Sequence, residues 1–390
     1  MSANKPPFDG EWVKVAEVFN LQMGKTPSRK KMEYWNTGEY DWVSIKDLGS
    51  YGRFVGRTKE TISELGRIES GIKQVPANTL LMSFKLSLGK TSITTRPIYT
   101  NEAIMAFLDK GTFQFDLGYM WHQFRTKDWA TGTNMAVMGE TLNKKTLGSA
   151  LIRLPDLRTQ RLVASCLDVI QSQLEIAGKK LECLDTLVKS RFVEMFGDPA
   201  TNSHDLPIER LSDLGVLERG KSKHRPRNAP ELRGGPDGPY PLVQTGDIAN
   251  AGLYLSTYND TYTELGLRQS KMWPKGTLCI TIAANIAQTT ILAIDACFPD
   301  SVVGFTSGRT IQNVFLHYWF SFFQSILEEQ APQAAQKNIN LRILSDLGVI
   351  APSIEKQQEF ASFVAEVDKS RFNLLKAYGS IIALFRVLFP

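Results

Sequence analysis

Residues 154–170 read LPDLRTQRLVASCLDVI and residues 351–367 read APSIEKQQEFASFVAEV. Both stretches begin Pro-x-hydrophobic-x-x-Gln, from Pro155 to Gln160 and from Pro352 to Gln357. A proline suits the start of a helix, where its missing N–H would be unpaired in any case. After Pro155 there is no glycine until Gly178 and no proline until Pro199. Apolar residues recur there at Leu167, Ile170, Leu174, Ala177, Leu181, Leu184 and Val188, in steps that alternate three and four. That spacing is a heptad seam along one long helix. The second stretch repeats it with Phe360, Val364, Val367, Leu374, Tyr378, Ile381, Phe385 and Leu388, although Arg371 falls where an apolar residue is due. Gly197, Asp198 and Pro199 end the first helix.

The pairing of these helices belongs to a wider duplication. Residues near 12–196 recur near 208–390, with an offset that stays between 195 and 200. Glu17, Leu21, Gly24, Lys25 and Thr26 meet Asp213, Leu217, Gly220, Lys221 and Ser222. Val43, Asp47, Pro76 and Leu80 meet Val243, Asp247, Pro274 and Leu278, and Asn143, Leu147 and Pro155 meet Asn340, Leu344 and Pro352. A period this long is a domain with something appended, not a solenoid repeat. The part before each helix is broken by Gly, Pro, Asn and Asp. Its short β-rich runs are TLLMSF, TSITT and AIMAFL in one copy and TLCITIA, TTILAI and VVGF in the other. The expected fold is α+β with a pseudo-twofold internal repeat, in which two similar α/β domains are separated by two long antiparallel helices. The first domain spans 1–155, the central helix 156–198, the second domain 199–352 and the C-terminal helix 353–390. The first helix, about 60 Å long at 1.5 Å per residue, is too long to pack usefully on one small domain. The two seams are therefore expected to pack on each other, as a spacer between the globular parts.

Composition narrows the function. The 390 residues are 43% hydrophobic, enough for two ordinary cores, and no run approaches the roughly 20 apolar residues of a membrane span. The N-terminal MSANKPPFDGEW has no apolar signal region, so a cytoplasmic location is expected. Cys166, Cys183, Cys279 and Cys297 form no CxxC pair and are read as buried free thiols; four scattered histidines add no zinc framework. A net charge of +5 is too mild to establish a nucleic-acid partner alone.

Several strings resemble one family. WVSIKDL and PLVQTGDI, read as strands, VPANTLLMS and WPKGTLCIT, the two proline-to-glutamine helix starts and the Phe196-Gly197-Asp198-Pro199 stop are together similar to the specificity (S) subunit of Type I restriction-modification systems. The resemblance covers nearly the whole chain. It implies two target recognition domains, each reading one half of a split asymmetric DNA sequence, and two helical spacers. The spacers would seat two methyltransferase (M) subunits and, through them, restriction (R) subunits. The resemblance also implies that this chain is not catalytic and binds no cofactor. S-adenosylmethionine, ATP and magnesium would sit on the partners.

The basic residues suit a DNA partner. In the first copy Lys25, Arg29 and Lys30 crowd an early loop, and Lys85, Lys90 and Arg96 flank TSITT; in the second, Lys221, Lys223, Arg225 and Arg227 occupy the equivalent loop, followed by Arg268 and Lys271. Twinned basic loops suggest phosphate contacts. Side chains placed to read base edges are Ser44, Lys46 and Thr91 in one copy and Gln244, Thr245, Asn285, Gln288 and Thr289 in the other.

Other chemistry fares worse. Gly215 to Ser222 matches a P-loop pattern, but Pro226 and Pro230 follow where that loop needs a helix, and the first copy lacks the leading glycine. Asn4-Lys5-Pro6-Pro7-Phe8 is a poor amino-methyltransferase loop, and no paired nuclease-type acid cluster stands out, although spacing alone leaves Asp116 and the scattered Glu residues open. Two alternatives remain, a coiled-coil protein-binding scaffold and a duplicated-domain enzyme with an unrecognised site.

Overall fold

A computed structural model of the chain describes residues 8–85, 87–129, 142–224, 226, 229–283, 286–322 and 339–388, with the side chains of 380–388 outside that description. Arg225, Arg227 and Asn285 lie outside the described residues, as do the side chains of Ile381 and Leu388. Two compact units result, Met1–Ala177 with Lys376–Pro390, and Gly178–Leu375. The division falls within the long helices.

In the first unit, strands β1 (Glu11–Lys14), β2 (Phe19–Met23), β3 (Trp35–Val43), β4 (Glu60–Ile62), β5 (Leu80–Ser83), β6 (Thr91–Ile93), β7 (Tyr99–Thr100), β8 (Ile104–Asp109) and β9 (Leu151–Leu154) form three sheets, ordered β2-β8-β5-β6, β4-β3-β7 and β1-β9. The second unit holds β10 (Ile208–Arg210), β11 (Gly215–Arg219), β12 (Tyr240–Leu242), β13 (Tyr254–Leu255), β14 (Asp260–Tyr262), β15 (Met272–Trp273), β16 (Leu278–Thr281), β17 (Thr289–Leu292), β18 (Ala296–Cys297), β19 (Val302–Ser307) and β20 (Gly348–Ile350), ordered β11-β19-β16-β17-β13, β14-β12-β18-β15 and β10-β20. Pairing is antiparallel except at β3·β7, β12·β18 and β13·β17.

The central strands are buried on both faces, and the period of two sorts their side chains between two cores. Leu80 and Met82 join Val163, Leu167 and Ile170 of the first long helix (Leu157–Phe196), while Leu81 joins Val43, Val75 and Ile98. In the second unit Leu278 and Ile280 join Phe315, Phe360 and Val364, while Cys279 joins Val243, Ile248 and Val302. Cys279 and Cys297 are buried, but Cys166 and Cys183 are exposed, which corrects the expectation of four buried thiols. They lie off the inward-turned seam.

The seam itself packs differently from expectation. Leu167 and Ile170 are buried in the first unit's core, with Leu174 half-buried against it. Val188 is buried and Leu184 half-buried in the second unit's core, beside Phe192 and Phe196, and Leu181 is half-buried. Each stretch of the helix therefore serves a domain core. The physical reason is visible at Phe192 and Phe196, whose rings are too bulky for a two-helix seam alone. Their centroids lie 5.3 and 5.0 Å from that of Phe315, on the Asn313–Phe320 helix.

Helix-on-helix packing exists as well. Within the second unit Phe192 meets Phe360 of the second long helix (Ile354–Leu388) at 5.3 Å. Arg191 pairs with Glu359 at 3.0 Å and Asp185 with Arg371 at 2.6 Å, so the two segments run antiparallel. The Asp185 partner explains why Arg371 can interrupt the seam. Beyond it Val367 is buried and Leu374 half-buried. Truncating Phe192 to Ala should cost the second unit about 3–5 kcal/mol in denaturant unfolding, against less than about 0.5 kcal/mol for exposed Lys189→Ala.

Candidate nucleic-acid interface

The early basic loops follow β2 and β11, and each is anchored by a glycine. A Cβ on Gly24 would strike the carbonyl oxygens of Thr100 and Asn101, and one on Gly220 those of Phe298 and Pro299. The Gly24 amide donates to Ile104 O at 3.1 Å and the Gly220 amide to Val302 O at 2.8 Å. The shared Gly-Lys-Thr/Ser thus marks a close passage of backbone on backbone. The glycine is explained by packing alone.

Folding supplies acidic partners to several of the basic residues. Arg29 pairs with Glu60 and lies 3.7 Å from the Trp35 ring centroid; Arg96 bonds Asp41 at 2.6 Å and the Gly56 carbonyl at 3.0 Å. Lys271 pairs with Glu218, whose carboxyl it holds below its usual range, and lies 3.9 Å from the Trp273 ring centroid; Lys221 reaches the same glutamate at 3.6 Å. Lys85 lies near the Phe84 ring. Lys25, Lys30, Lys46, Lys90, Lys223 and Arg268 are exposed and make no ion pair among the described residues.

Two expectations about the reading strands are corrected. Ser44 and Lys46 are not on a strand. β3 stops at Val43, and Ser44 caps the helix Ile45–Ser50, its hydroxyl accepting from the Asp47 amide at 3.1 Å. Gln244 occupies the same position before Thr245–Asn250, where its backbone N–H donates to the Asp247 carboxylate at 2.8 Å. The spacing of cap to acid three residues on, a capping box, outweighs the local β alternation. Thr91 and Thr289 are buried, so neither can meet a base directly. Gln288 beside Thr289 is exposed.

Lys90 and Gln288 instead border clefts that occupy equivalent places in the two units. In the first, about 660 Å³ is enclosed by Gly49, Arg53, Lys90, Trp121, Arg125 and Glu175. Arg53 reaches Asp168 of the long helix at 2.6 Å, His122 meets the other oxygen of Asp168 at 2.8 Å, and Arg125 donates to Gln171 at 3.1 Å. Gly118 makes room for the Arg53 guanidinium, since any Cβ there would overlap it. In the second unit Leu253 takes the place of Arg53, as the bonds of Ile93 N to Arg53 O and of Ile291 N to Leu253 O show. Val314 and Ala365 stand where Gly118 and Asp168 do, and the three line an apolar cleft of about 540 Å³ with Tyr254 and Phe372. A neighbouring cleft of about 330 Å³ is bounded by Gln288, Thr289 and His317. His317 is half-buried, with Nδ1 3.0 Å from Thr289 Oγ1, and its desolvation pushes its pKa down to about 4. Burial also lowers His122, against the opposing pull of Asp168. Arg53, His122, Arg125 and Asp168 escape a motif search; only comparing the copies position by position, Arg53 with Leu253 and Asp168 with Ala365, singles them out. Among the described residues no group of His, Cys, Asp and Glu could hold a metal ion.

Residues 8–185 and 209–379 match the family described as Type I restriction modification DNA specificity domain. The chain belongs to that family. It is 26% identical over 237 residues to the MjaIX specificity subunit of Methanocaldococcus jannaschii, covering 56% of this chain and 54% of that protein. To the EcoprrI specificity subunit of Escherichia coli it is 30% identical over 122 residues, 30% of each chain. It thus spans about half or less of the length of these relatives. Among solved structures, a chain from work on assembly and conformational transition of the type I R-M system aligns with TM-score 0.62 at 15% identity, covering 98% of this chain and 97% of that one. The S subunit from M. genitalium aligns at 0.55 and 16%, covering 100% and 99%. At such identities the likeness carries the fold, which is that of specificity subunits along the whole chain.

The cleft of the first unit predicts a coupled pair. Asp168→Ala leaves half-buried Arg53 and buried His122 without their shared carboxylate and should cost about 1–2 kcal/mol in denaturant unfolding, and Arg53→Leu, which leaves Asp168 its contact with His122, should cost less. The double variant removes both charges but leaves buried His122 without the Asp168 oxygen it meets, so it should recover only part of that cost. His317 predicts acid sensitivity. Its folded pKa lies below the unfolded 6.5, so the stability it contributes is present at neutral pH and is lost as pH falls from about 6.5 toward 4. Unfolding free energy should drop by about 2 kcal/mol between pH 7.5 and 5 on its account, and His317→Gln should flatten that slope.

Proposed function

We propose that this chain is the DNA-reading subunit of a Type I restriction-modification complex, with each unit reading one half of a split, asymmetric target. The observation that carries this reading is the repeated placement of reading elements. Both copies put a basic loop after the same glycine and a polar residue, Lys90 or Gln288, at the rim of the same cleft. The chemistry at those places differs between copies, as two different half-sites require. Lys25, Lys30, Lys46, Lys223 and Arg268 would contact phosphates and set register. Lys90, Gln244 and Gln288 are the candidates for base edges, where Lys suits guanine and Gln suits adenine.

The long helices would set the distance between half-sites and seat the methyltransferase subunits. An exposed stripe on the first helix, Leu162, Val169 and Ile176 at heptad spacing, supports a partner there, since such residues on a helix face otherwise stay in water. S-adenosylmethionine, ATP and magnesium would be held by the partners, and this chain would contribute aim and no catalysis. No helix among the described residues is long and apolar enough to cross a membrane; a cytoplasmic complex fits that. The scaffold alternative explains the stripe but not the twinned loops.

The test is sequencing of methylated bases in cells carrying this chain and its methyltransferase partner. A bipartite motif with unlike halves is expected. Replacing residues 208–350 with the same region of a related subunit should change one half and leave the other, and the spacing, unaltered. A motif that changes in both halves would defeat the reading.

A further inference from the structure

Two buried glutamines, one per copy, make the same three-point joint. Gln160 Oε1 accepts from the Asp116 amide at 2.8 Å, while Nε2 donates to Pro155 O at 2.7 Å and Gln114 O at 3.5 Å. Gln357 Oε1 accepts from the Gln312 amide at 2.9 Å, while Nε2 donates to Pro352 O at 2.8 Å and Thr310 O at 2.9 Å. Both side chains are fully buried. One acceptor and two donors are needed at each place, and of the side chains of this length only a carboxamide offers that set. An unpaired group there would carry a desolvation penalty of about 1–3 kcal/mol, so the joint is tightly specified.

What the joint connects gives it a further meaning. On one side is the first turn of a long helix. On the other, Asp116 and Gln312 cap the helices Leu117–Thr126 and Asn313–Phe320. Those helices touch the strands that carry the candidate readers. Trp121 Nε1 donates to Thr91 O at 3.2 Å, next to Lys90, and His317 meets Thr289 at 3.0 Å, next to Gln288. Each copy thus has a path of packed and hydrogen-bonded groups from spacer helix to reading strand that runs through one glutamine, beside the direct packing of the helix on the core.

We propose that Gln160 and Gln357 are positioning residues for sequence reading, each fixing the pose of its own recognition domain on its own helix, so that loss of one degrades the discrimination of one half-site. This rests on the two-half-site reading above. The experiment uses the full chain with its methyltransferase partner on oligoduplexes carrying the wild-type motif or a mismatch in one half. Discrimination is the ratio of methylation rates on matched and mismatched duplex. Gln160→Met should lower the ratio at least tenfold for mismatches in one half-site and leave the other within twofold; Gln357→Met should do the reverse. Gln160→Glu adds a readout that survives poor folding of the methionine variant. Its carboxylate would face two carbonyl oxygens with no proton to offer, whereas the protonated acid restores a donor. Its ratio should therefore be low at pH 8.5 and return toward wild type at pH 6, while the wild-type ratio stays flat. Wild-type ratios in both folded methionine variants, equal loss at both half-sites from either, or no pH recovery in Gln160→Glu would overturn the proposal. A wild-type complex that yields no bipartite motif would instead defeat the two-half-site reading itself.

Discussion

A helix of 40 residues carries its apolar seam over about 60 Å, and no single small core can cover that length. The structure meets this constraint by dividing the seam. Leu167 and Ile170 complete the core of the first unit; Val188, Phe192 and Phe196 complete that of the second, together with Phe360 and Val364 from the other long helix. Helix and sheet therefore share one core in each unit. Domains joined by linkers are free to reorient. A domain whose core takes in part of a long helix is instead held to that segment, because leaving it would expose rings such as Phe192 and Phe196, each worth about 3–5 kcal/mol by truncation.

The duplication preserves that skeleton and varies what borders it. Gly24 and Gly220 make the same backbone passage, and Gln160 and Gln357 the same joint. Around the clefts the copies diverge. Arg53 with Asp168 becomes Leu253 with Ala365, Trp121 becomes His317, and Lys90 becomes Gln288. Replacing an ion pair as a unit by apolar residues is close to neutral, whereas removing one charge is costly. The two versions are therefore both stable end points, and divergence between them had to change both positions.

Much of the framework was legible before the structure. The seam positions follow from a period of 3.5 and the central strands from short β-rich runs between turn residues, patterns that reflect burial. The site was less so. Ser44 sits in a run that alternates like a strand, but its hydroxyl and Asp47 close a helix cap, and local hydrogen bonding decided the outcome. Arg29 and Arg96 looked like phosphate ligands because their partners Glu60 and Asp41 lie 31 and 55 residues away in sequence. Arg53 and Asp168, 115 apart, carried no motif at all. Charge is visible in a sequence, but whether it is already neutralised is a tertiary fact.

That neutralisation bears on how reading would work. Of the basic candidates, only Lys25, Lys30, Lys46 and Lys90 in the first unit and Lys223 and Arg268 in the second are exposed and unpaired among the described residues. Each phosphate neutralised on duplex DNA contributes about 0.9 to the logarithmic salt slope. Among the described residues these six would together give a slope of roughly 5 if all met phosphate, a hold that depends on salt and carries no sequence information. Discrimination would then come from a few side chains at the cleft rims held at fixed positions. Fixed positions are what a shared core and a buried carboxamide joint provide. A core shared with the helix would thus supply pose and the exposed cations attraction, and sequence reading would need both.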